Sequence, residues 1–99
     1  MKMHVIYEQP KNPEGFEKHY FEVHIPLVQK IPNLKNLSCQ KVLQAQNTEK
    51  NLYLLAELEF ESLDVFQESM SSKEGKETQK DVANLVEFLH KPPVIIISQ

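Results

Sequence analysis

A helix interrupted by proline is the feature that most constrains how this chain can fold. Four apolar side chains recur along it at steps of four, three and four residues: Phe16, Tyr20, Val23 and Leu27. At ~100° per residue, these side chains form one apolar stripe on a helix. Such a helix is stable when its stripe packs against another layer of structure, so we expect it to cover a sheet.

Pro26 lies inside this helical stretch. It has no N–H to offer the carbonyl of Glu22, and its ring crowds that carbonyl. We therefore expect the helix to kink or loosen around residues 22–26 and to end before Pro32. His24 lies at the edge of the apolar stripe and beside the expected break.

Alternating apolar residues and turn signals predict the strands. The predicted order is a strand at residues 3–8, a helix start at Asn12-Pro13, a strand at 35–44, a polar loop at 46–51, a strand at 52–60 and a last strand at 94–97. On the strand at 52–60, one face carries Leu52, Leu54, Ala56, Leu58 and Phe60.

A second helical region is predicted to begin at Ser62, a residue type favoured at helix N-termini. Its expected inward side chains are Leu63, Phe66 and Met70. The sequence Ser71-Ser72 and then Gly75 are expected to interrupt it, before more helix at roughly residues 76–88.

The order β-α-β-β-α-β predicts an α+β, ferredoxin-like fold with a four-stranded antiparallel sheet. Two helical regions cover one face of such a sheet and leave the other bare. Residues 94–97 are apolar at consecutive positions, as are residues 54–56, so both strands present hydrophobic side chains to both faces. We therefore expect the second face to be buried against another copy of the chain, in a homodimer.

Length and composition limit the class of protein. The 99 residues form one predicted domain, 1–99, with a net charge of −3 and no basic block, which argues against a nucleic-acid partner. No apolar run approaches the ~18 residues that span a membrane. The single cysteine, Cys39, and an opening segment without the apolar core of a signal peptide predict a cytoplasmic protein.

Short stretches spread over nearly the whole chain carry a family resemblance. They are the opening strand with Tyr7, then Pro13-Glu14-Gly15-Phe16 leading to Tyr20, His24-Ile25-Pro26-Leu27, Ile31-Pro32-Asn33-Leu34, Ala56-Glu57-Leu58-Glu59-Phe60, Ser72-Lys73-Glu74-Gly75 and Asp81-Val82-Ala83-Asn84. In this order and spacing they resemble the EthD family, small bacterial proteins named for one member linked to the degradation of ethyl tert-butyl ether. Asn33 stands where the family more often has Gly, and both residues tolerate positive φ.

The resemblance implies a dimeric α+β barrel, in which two ferredoxin-like sheets pack around a shared centre. It also implies a ligand cleft between each sheet and its own helices. Some members of the family are labelled reductases or parts of degradation pathways.

His24 is the candidate catalytic residue, because imidazole accepts or donates a proton near physiological pH. The alternative is a histidine that bonds a freed backbone carbonyl, such as that of Glu22, and braces the kink. Tyr20 and Tyr7 are candidates to orient a ligand with their hydroxyls, although core packing also explains them. Phe16 and Phe66 are core residues or, as candidate substrate-binding residues, part of the wall of the cleft.

Metal and cofactor motifs are missing from the sequence, and we predict neither a metal nor a cofactor. His19 and His24 are five residues apart, hence ~140° apart on an α-helix, and do not chelate one metal from that helix. His-Glu-x-x-His and paired cysteines do not occur. The 2 glycines, Gly15 and Gly75, rule out a glycine-rich phosphate loop.

Three functions fit this pattern. The first is a cofactor-independent enzyme, or an accessory protein of a degradation pathway, that acts on a small, mostly apolar organic molecule in the cleft. The second is a binding protein for such a molecule, or a purely structural dimer. The third, a haem-degrading monooxygenase on the same barrel, is disfavoured because those enzymes share a site tryptophan and this chain has no Trp.

Overall fold

The computed structural model describes all of residues 1–99. Its strands are β1 (Lys2–Glu8), β2 (Asn36–Lys41), β3 (Leu52–Glu59) and β4 (Val94–Ser98). Its α-helices are α1 (Pro13–His19), α2 (Ile25–Gln29), α3 (Leu63–Met70) and α4 (Lys73–Val86). A π-helical turn, Tyr20–His24, joins α1 to α2.

The four strands form one antiparallel sheet in the spatial order β2-β3-β1-β4. This order and the helices confirm the predicted α+β, ferredoxin-like fold. The register places Val5 of β1 opposite Ala56 of β3 and Ile95 of β4. Side chains alternate between the two faces of a strand, so these three residues share the face that the helices cover. β2 is shorter than the predicted strand at 35–44.

Side-chain caps begin three of the helices, two of them where the sequence predicts. Asn12 Oδ1 accepts a hydrogen bond from the Gly15 N–H at 3.0 Å, one residue before Pro13 starts α1. Ser62 Oγ accepts from the Val65 N–H at 3.2 Å at the start of α3. Each cap satisfies one of the backbone N–H groups that a helix leaves free at its first turn.

The backbone ladder of the first helical region changes just before Pro26. The Ile25 N–H bonds the carbonyl of Tyr20, five residues back instead of four, which is the hydrogen bond of a π-helix. The predicted loosening is therefore present, as one π-helical turn, and α2 ends at Gln29 before Pro32. Asn33 has a φ of 63°, as the predicted turn requires.

The π-helical turn also corrects the predicted apolar stripe. It contains one residue more than an α-helical turn, so the residues after it are rotated relative to the sheet. Val23, expected inside, is 42% exposed. Residues at steps of four are buried instead: Phe16, Tyr20, His24 and Val28.

Two further expectations about the second helical region are wrong. Leu63 is 48% exposed, because it occupies the first turn of α3 and points away from the sheet. Gly75 does not interrupt the helix. The break lies at Ser71-Ser72, and Gly75 is a buried residue in the first turn of α4, where Ser72 Oγ accepts its N–H.

The core lies between the sheet and the helices. One group of buried side chains surrounds Tyr7, Phe16 and Tyr20, and a second surrounds Val28 and Phe60. The opposite face of the sheet stays open: Leu55 is 37% exposed and Ile96 is 45% exposed. No helix combines the length and the apolar character that crossing a membrane requires.

Replacing Gly75 by alanine should destabilise the protein by about 2 kcal/mol. A Cβ at this position would lie 2.6 Å from Met70 Cα and nearer still to the carbonyl oxygen of Ser69, and backbone atoms move at a high cost. Urea unfolding followed by circular dichroism measures the loss.

Gly15→Ala is the matched control. Its added Cβ meets only the side chains of Asn12 and Phe88, so its cost should be smaller. Equal stability of Gly75→Ala and the wild type would contradict the close backbone contact of Gly75 with Met70 at the junction of α3 and α4.

Candidate functional site

A cleft of about 600 Å³ opens between the sheet and the helices. Of its 21 lining residues, 15 are hydrophobic, so the cleft suits a molecule that is mostly apolar. Its floor comes from all four strands, and its roof from the π-helical turn, α2, α3 and α4. The volume lies within the range of small-molecule sites in proteins.

The structure brings four of the five candidate residues to this cleft. Tyr7 reaches it from β1, Tyr20 and His24 from the π-helical turn, and Phe66 from α3. Phe16 does not line it. Its side chain is fully buried and stacks on the ring of Tyr20, with ring centroids 5.4 Å apart.

His24 is fixed by a carboxylate on another helix. Its Nδ1 lies 2.9 Å from Oδ2 of Asp81 in α4. His24 makes no hydrogen bond to a freed backbone carbonyl such as that of Glu22. His24 is 6% exposed, and its ring stacks on that of Tyr20 at a centroid distance of 5.6 Å.

Asp81 is the centre of a buried hydrogen-bond network. Besides His24, it accepts from His19 Nε2 at 2.9 Å and from Asn84 Nδ2 at 2.9 Å. Burial alone raises the pKa of Asp81, but hydrogen bonds from Asn84, His24 and His19 outweigh it and hold the pKa below its ordinary value. Asp81 is therefore ionised at neutral pH and only accepts, so both imidazoles donate to it.

The π-helical turn allows two histidines to reach one carboxylate. On an α-helix, His19 and His24 would point ~140° apart, and the sequence prediction assumed that geometry. Because the turn closes its hydrogen bonds over five residues, the two side chains point to the same side and both contact Asp81. No group of three His, Cys, Asp or Glu side chains is arranged to hold a metal ion.

His24 has a free nitrogen. Burial lowers the pKa of its imidazole, and although the bond to Asp81 opposes this, the pKa stays below the ordinary value of 6.5. The ring is thus neutral at pH 7, with Nδ1–H donated to Asp81 and Nε2 left as an acceptor. Nε2 makes no hydrogen bond in the protein. It is not fully buried, because the one fully buried side-chain nitrogen or oxygen atom without a hydrogen-bond partner is Ser69 Oγ.

Two phenols line the same cleft as this imidazole, and the ring of Tyr20 stacks on it. Burial raises the pKa of both Tyr7 and Tyr20, so both stay protonated. The Tyr20 hydroxyl accepts from Cys39 Sγ at 3.5 Å. The Tyr7 hydroxyl makes no hydrogen bond in the protein and, like His24 Nε2, is not fully buried. The residues lining the cleft therefore include a base without a partner, His24 Nε2, and a hydroxyl without any hydrogen bond, that of Tyr7.

Sequence reasoning missed Asp81, His19 and Asn84 as parts of the site. One signal was available for Asp81: it occupies an inward position of α4, in line with buried Thr78 and Leu85. A carboxylate on the apolar face of a helix needs a hydrogen-bond partner elsewhere in the fold. That need indicates Asp81 as a candidate site residue.

The fold and the cleft place the chain among ferredoxin-like α+β proteins with a cavity between sheet and helices. The family model described as "EthD domain" matches residues 8–89. The chain therefore belongs to the EthD family, as its sequence predicts.

Relatives agree with this assignment. The chain is 36% identical over 80 residues to an uncharacterized 11.0 kDa protein of the thcB-thcC intergenic region of Rhodococcus erythropolis, covering 81% of this chain and 78% of that protein. The crystal structure of an EthD family protein from Bacillus halodurans superposes with a TM-score of 0.86 at 31% identity, covering 99% of this chain and 95% of the other. A dimeric ferredoxin-like protein of unknown function from Jannaschia shares the fold, with a TM-score of 0.73, 10% identity and coverage of 99% and 97%.

The stability of the protein should fall as the pH is lowered from 7 to 5. Because the pKa of His24 is lowered from 6.5 in the folded protein, the unfolded chain takes up a proton there more readily. Protonation below about pH 6.5 therefore favours the unfolded state, and the free energy of unfolding decreases with falling pH. The lowered pKa of Asp81 acts in the same direction in more acidic solution.

The variant His24→Asn tests this assignment, because asparagine keeps a side-chain N–H for Asp81 and does not titrate. Its loss of stability between pH 7 and pH 5, measured by urea unfolding, should be smaller than that of the wild type. The exposed His90 supplies the control, and His90→Asn should keep the wild-type pH dependence. An unaltered pH dependence in His24→Asn would contradict the assignment.

Proposed function

We propose that the cleft binds a small, mostly apolar organic molecule and that His24 transfers a proton to or from it. One observation carries this proposal: His24 Nδ1 is held by Asp81 at 2.9 Å, Nε2 makes no hydrogen bond in the protein, and His24 lines a cavity formed mainly by hydrophobic side chains. A buried carboxylate that fixes the tautomer and the orientation of an imidazole leaves the other nitrogen ready to act as a base.

The remaining candidate residues take positioning roles in this proposal. Tyr7 and Tyr20 orient the bound molecule with hydroxyls that stay protonated, and Phe66 forms part of the apolar wall. The reaction needs no cofactor, since positioned acid–base catalysis alone contributes roughly 10²- to 10⁴-fold to a rate. Proton transfer, isomerisation and oxygenation of an activated substrate are the compatible reaction types, in keeping with a role in degradation of an organic compound.

A second candidate function is binding without chemistry. It is favoured by the composition of the cleft, in which 15 of 21 lining residues are hydrophobic, since an apolar cavity retains a ligand without any proton transfer. Both functions use the cleft, and only proton transfer requires His24 Nε2. A cytoplasmic location stays a prediction from the sequence under both.

The neutral dye N-phenyl-1-naphthylamine should bind in the cleft and gain fluorescence. Ala56 is a buried floor residue of the cleft, so Ala56→Phe should weaken dye binding by about tenfold or more. Ala83→Phe, on the exposed side of α4, is the matched control and should bind like the wild type. Circular dichroism of both variants checks that they are folded.

His24→Asn should bind the dye as tightly as the wild type, because it changes one polar group and leaves the apolar walls in place. No dye binding by the wild type, or equal binding by Ala56→Phe, would refute a ligand cleft.

We propose in addition that the protein is a homodimer that pairs through the open face of the sheet. Leu55, Val94 and Ile96 share that face and are 37%, 39% and 45% exposed. Water-exposed apolar side chains in a row across β3 and β4 favour a covering layer. His4 and Glu57 lie on the same face, with His4 Nδ1 3.4 Å from a carboxylate oxygen of Glu57.

Sedimentation at low micromolar concentration should return a species of twice 11.5 kDa. Leu55→Lys should shift it toward the monomer, because a charge at the centre of a face that buries about 800 Å² per partner is costly. Leu63→Lys replaces an equally apolar exposed residue on α3 and should leave the dimer intact. A stable monomer of the wild type would overturn this part of the proposal.

A further inference from the structure

The cleft contains no charged side chain. Its polar lining residues are His24, Gln67, Ser71, Thr78 and Gln79, together with the hydroxyls of the two tyrosines. A charged ligand would lose its hydration on entry and gain no ion pair in return, which is unfavourable. The negative charge of Asp81, directly behind His24, adds repulsion against an anion. The ligand that fits is uncharged.

Most of the polar groups at the roof of the cleft are already engaged. Thr78 Oγ1 donates to the carbonyl of Glu74, and Gln79 Nε2 donates to the carbonyls of Met70 and Gly75. The bond from Gln79 to Met70 ties α4 to α3, and the other two lie within α4. A ligand would have to break these bonds to use the same donors.

Two other groups of the lining residues make no hydrogen bond in the protein: the hydroxyl of Tyr7, which donates, and Nε2 of His24, which accepts. They sit on different elements, β1 and the π-helical turn, and line one cavity. A ligand that satisfies both must carry an oxygen that accepts from a phenol and, close to it, a hydrogen that an imidazole removes. Hydrophobic side chains surround the rest of the ligand.

Building on the proposed function, we infer that the substrate is an uncharged, enolisable carbonyl compound with an apolar body, bound with its carbonyl oxygen at Tyr7 and its α-carbon at His24 Nε2. In the reaction, the α-C–H bond breaks and its proton moves to Nε2. The electron pair of that bond forms the carbon–carbon double bond of an enolate, and the carbonyl π pair moves to the oxygen. The Tyr7 O–H stabilises the charge on that oxygen, and return of the proton to carbon completes the cycle without an oxidant or a cofactor.

Two nearly isosteric probes test the charge of the ligand. Phenylacetone is uncharged and enolisable, whereas phenylacetate has the same shape and carries a negative charge. Phenylacetone should displace bound N-phenyl-1-naphthylamine at a concentration at least about tenfold lower than phenylacetate does. Equal displacement by the two probes would overturn the inference of an uncharged ligand.

Proton NMR of phenylacetone in D₂O tests the chemistry, since loss of its α-proton signals reports exchange through the enolate. The wild type should accelerate this loss, and His24→Asn should abolish the acceleration. Tyr7→Phe should slow it by at least about tenfold at saturating phenylacetone. Tyr53→Phe is the matched control: its hydroxyl bonds Glu17 outside the cleft, and exchange should continue at the wild-type rate.

The outcomes separate this inference from the proposed function. If the dye binds in the cleft but phenylacetone exchanges no faster than with His24→Asn, the carbonyl substrate is wrong and the ligand cleft stands. If Tyr7→Phe exchanges like the wild type, the role of Tyr7 is wrong. If the dye does not bind the wild type at all, the proposed function fails with it.

Discussion

One missing backbone N–H determines the geometry of the site. Pro26 has no hydrogen to give to the helix ladder, and the chain responds with a π-helical turn over Tyr20–His24. The extra residue in that turn moves Val23 to the surface and His24 to the inside. It also brings His19 and His24 to the same side, where one carboxylate contacts both.

Asp81 then links this turn to α4 across the roof of the cleft. A buried carboxylate is costly unless all its partners are in place, and here three side chains donate to it: His19, His24 and Asn84. The network therefore has two consequences. It ties the π-helical turn to α4, and it occupies one nitrogen of His24 and leaves the other free, while burial keeps the imidazole neutral. Stability and the candidate chemistry rest on the same four side chains, so a substitution at Asp81 changes both.

The two faces of the sheet have separate roles, one in the cleft and the other in the proposed dimer. The helix-covered face carries Val5, Tyr7 and Ala56 in adjacent strands and forms the floor of the cleft. The open face carries the apolar side chains of Leu55 and Ile96. Because the pleat sends alternate residues to opposite faces, one strand serves both surfaces at once, and a shift of register by a single residue would exchange them. The cleft and the proposed dimer surface are therefore coupled through the pairing of the strands.

The sequence by itself determined the order of the elements, the sheet, the helix caps at Asn12 and Ser62 and the position of the break before Pro26. All of these follow from local properties of the chain. The alternation of apolar residues, the helix caps and the missing N–H of Pro26 each affect the backbone only within a few residues. Only the tertiary structure decided that His24 meets Asp81, because those residues are 57 positions apart and their contact depends on how α4 lies over the π-helical turn. Helical periodicity assumes a constant rotation per residue, and for that reason it placed Val23 inside and separated His19 from His24.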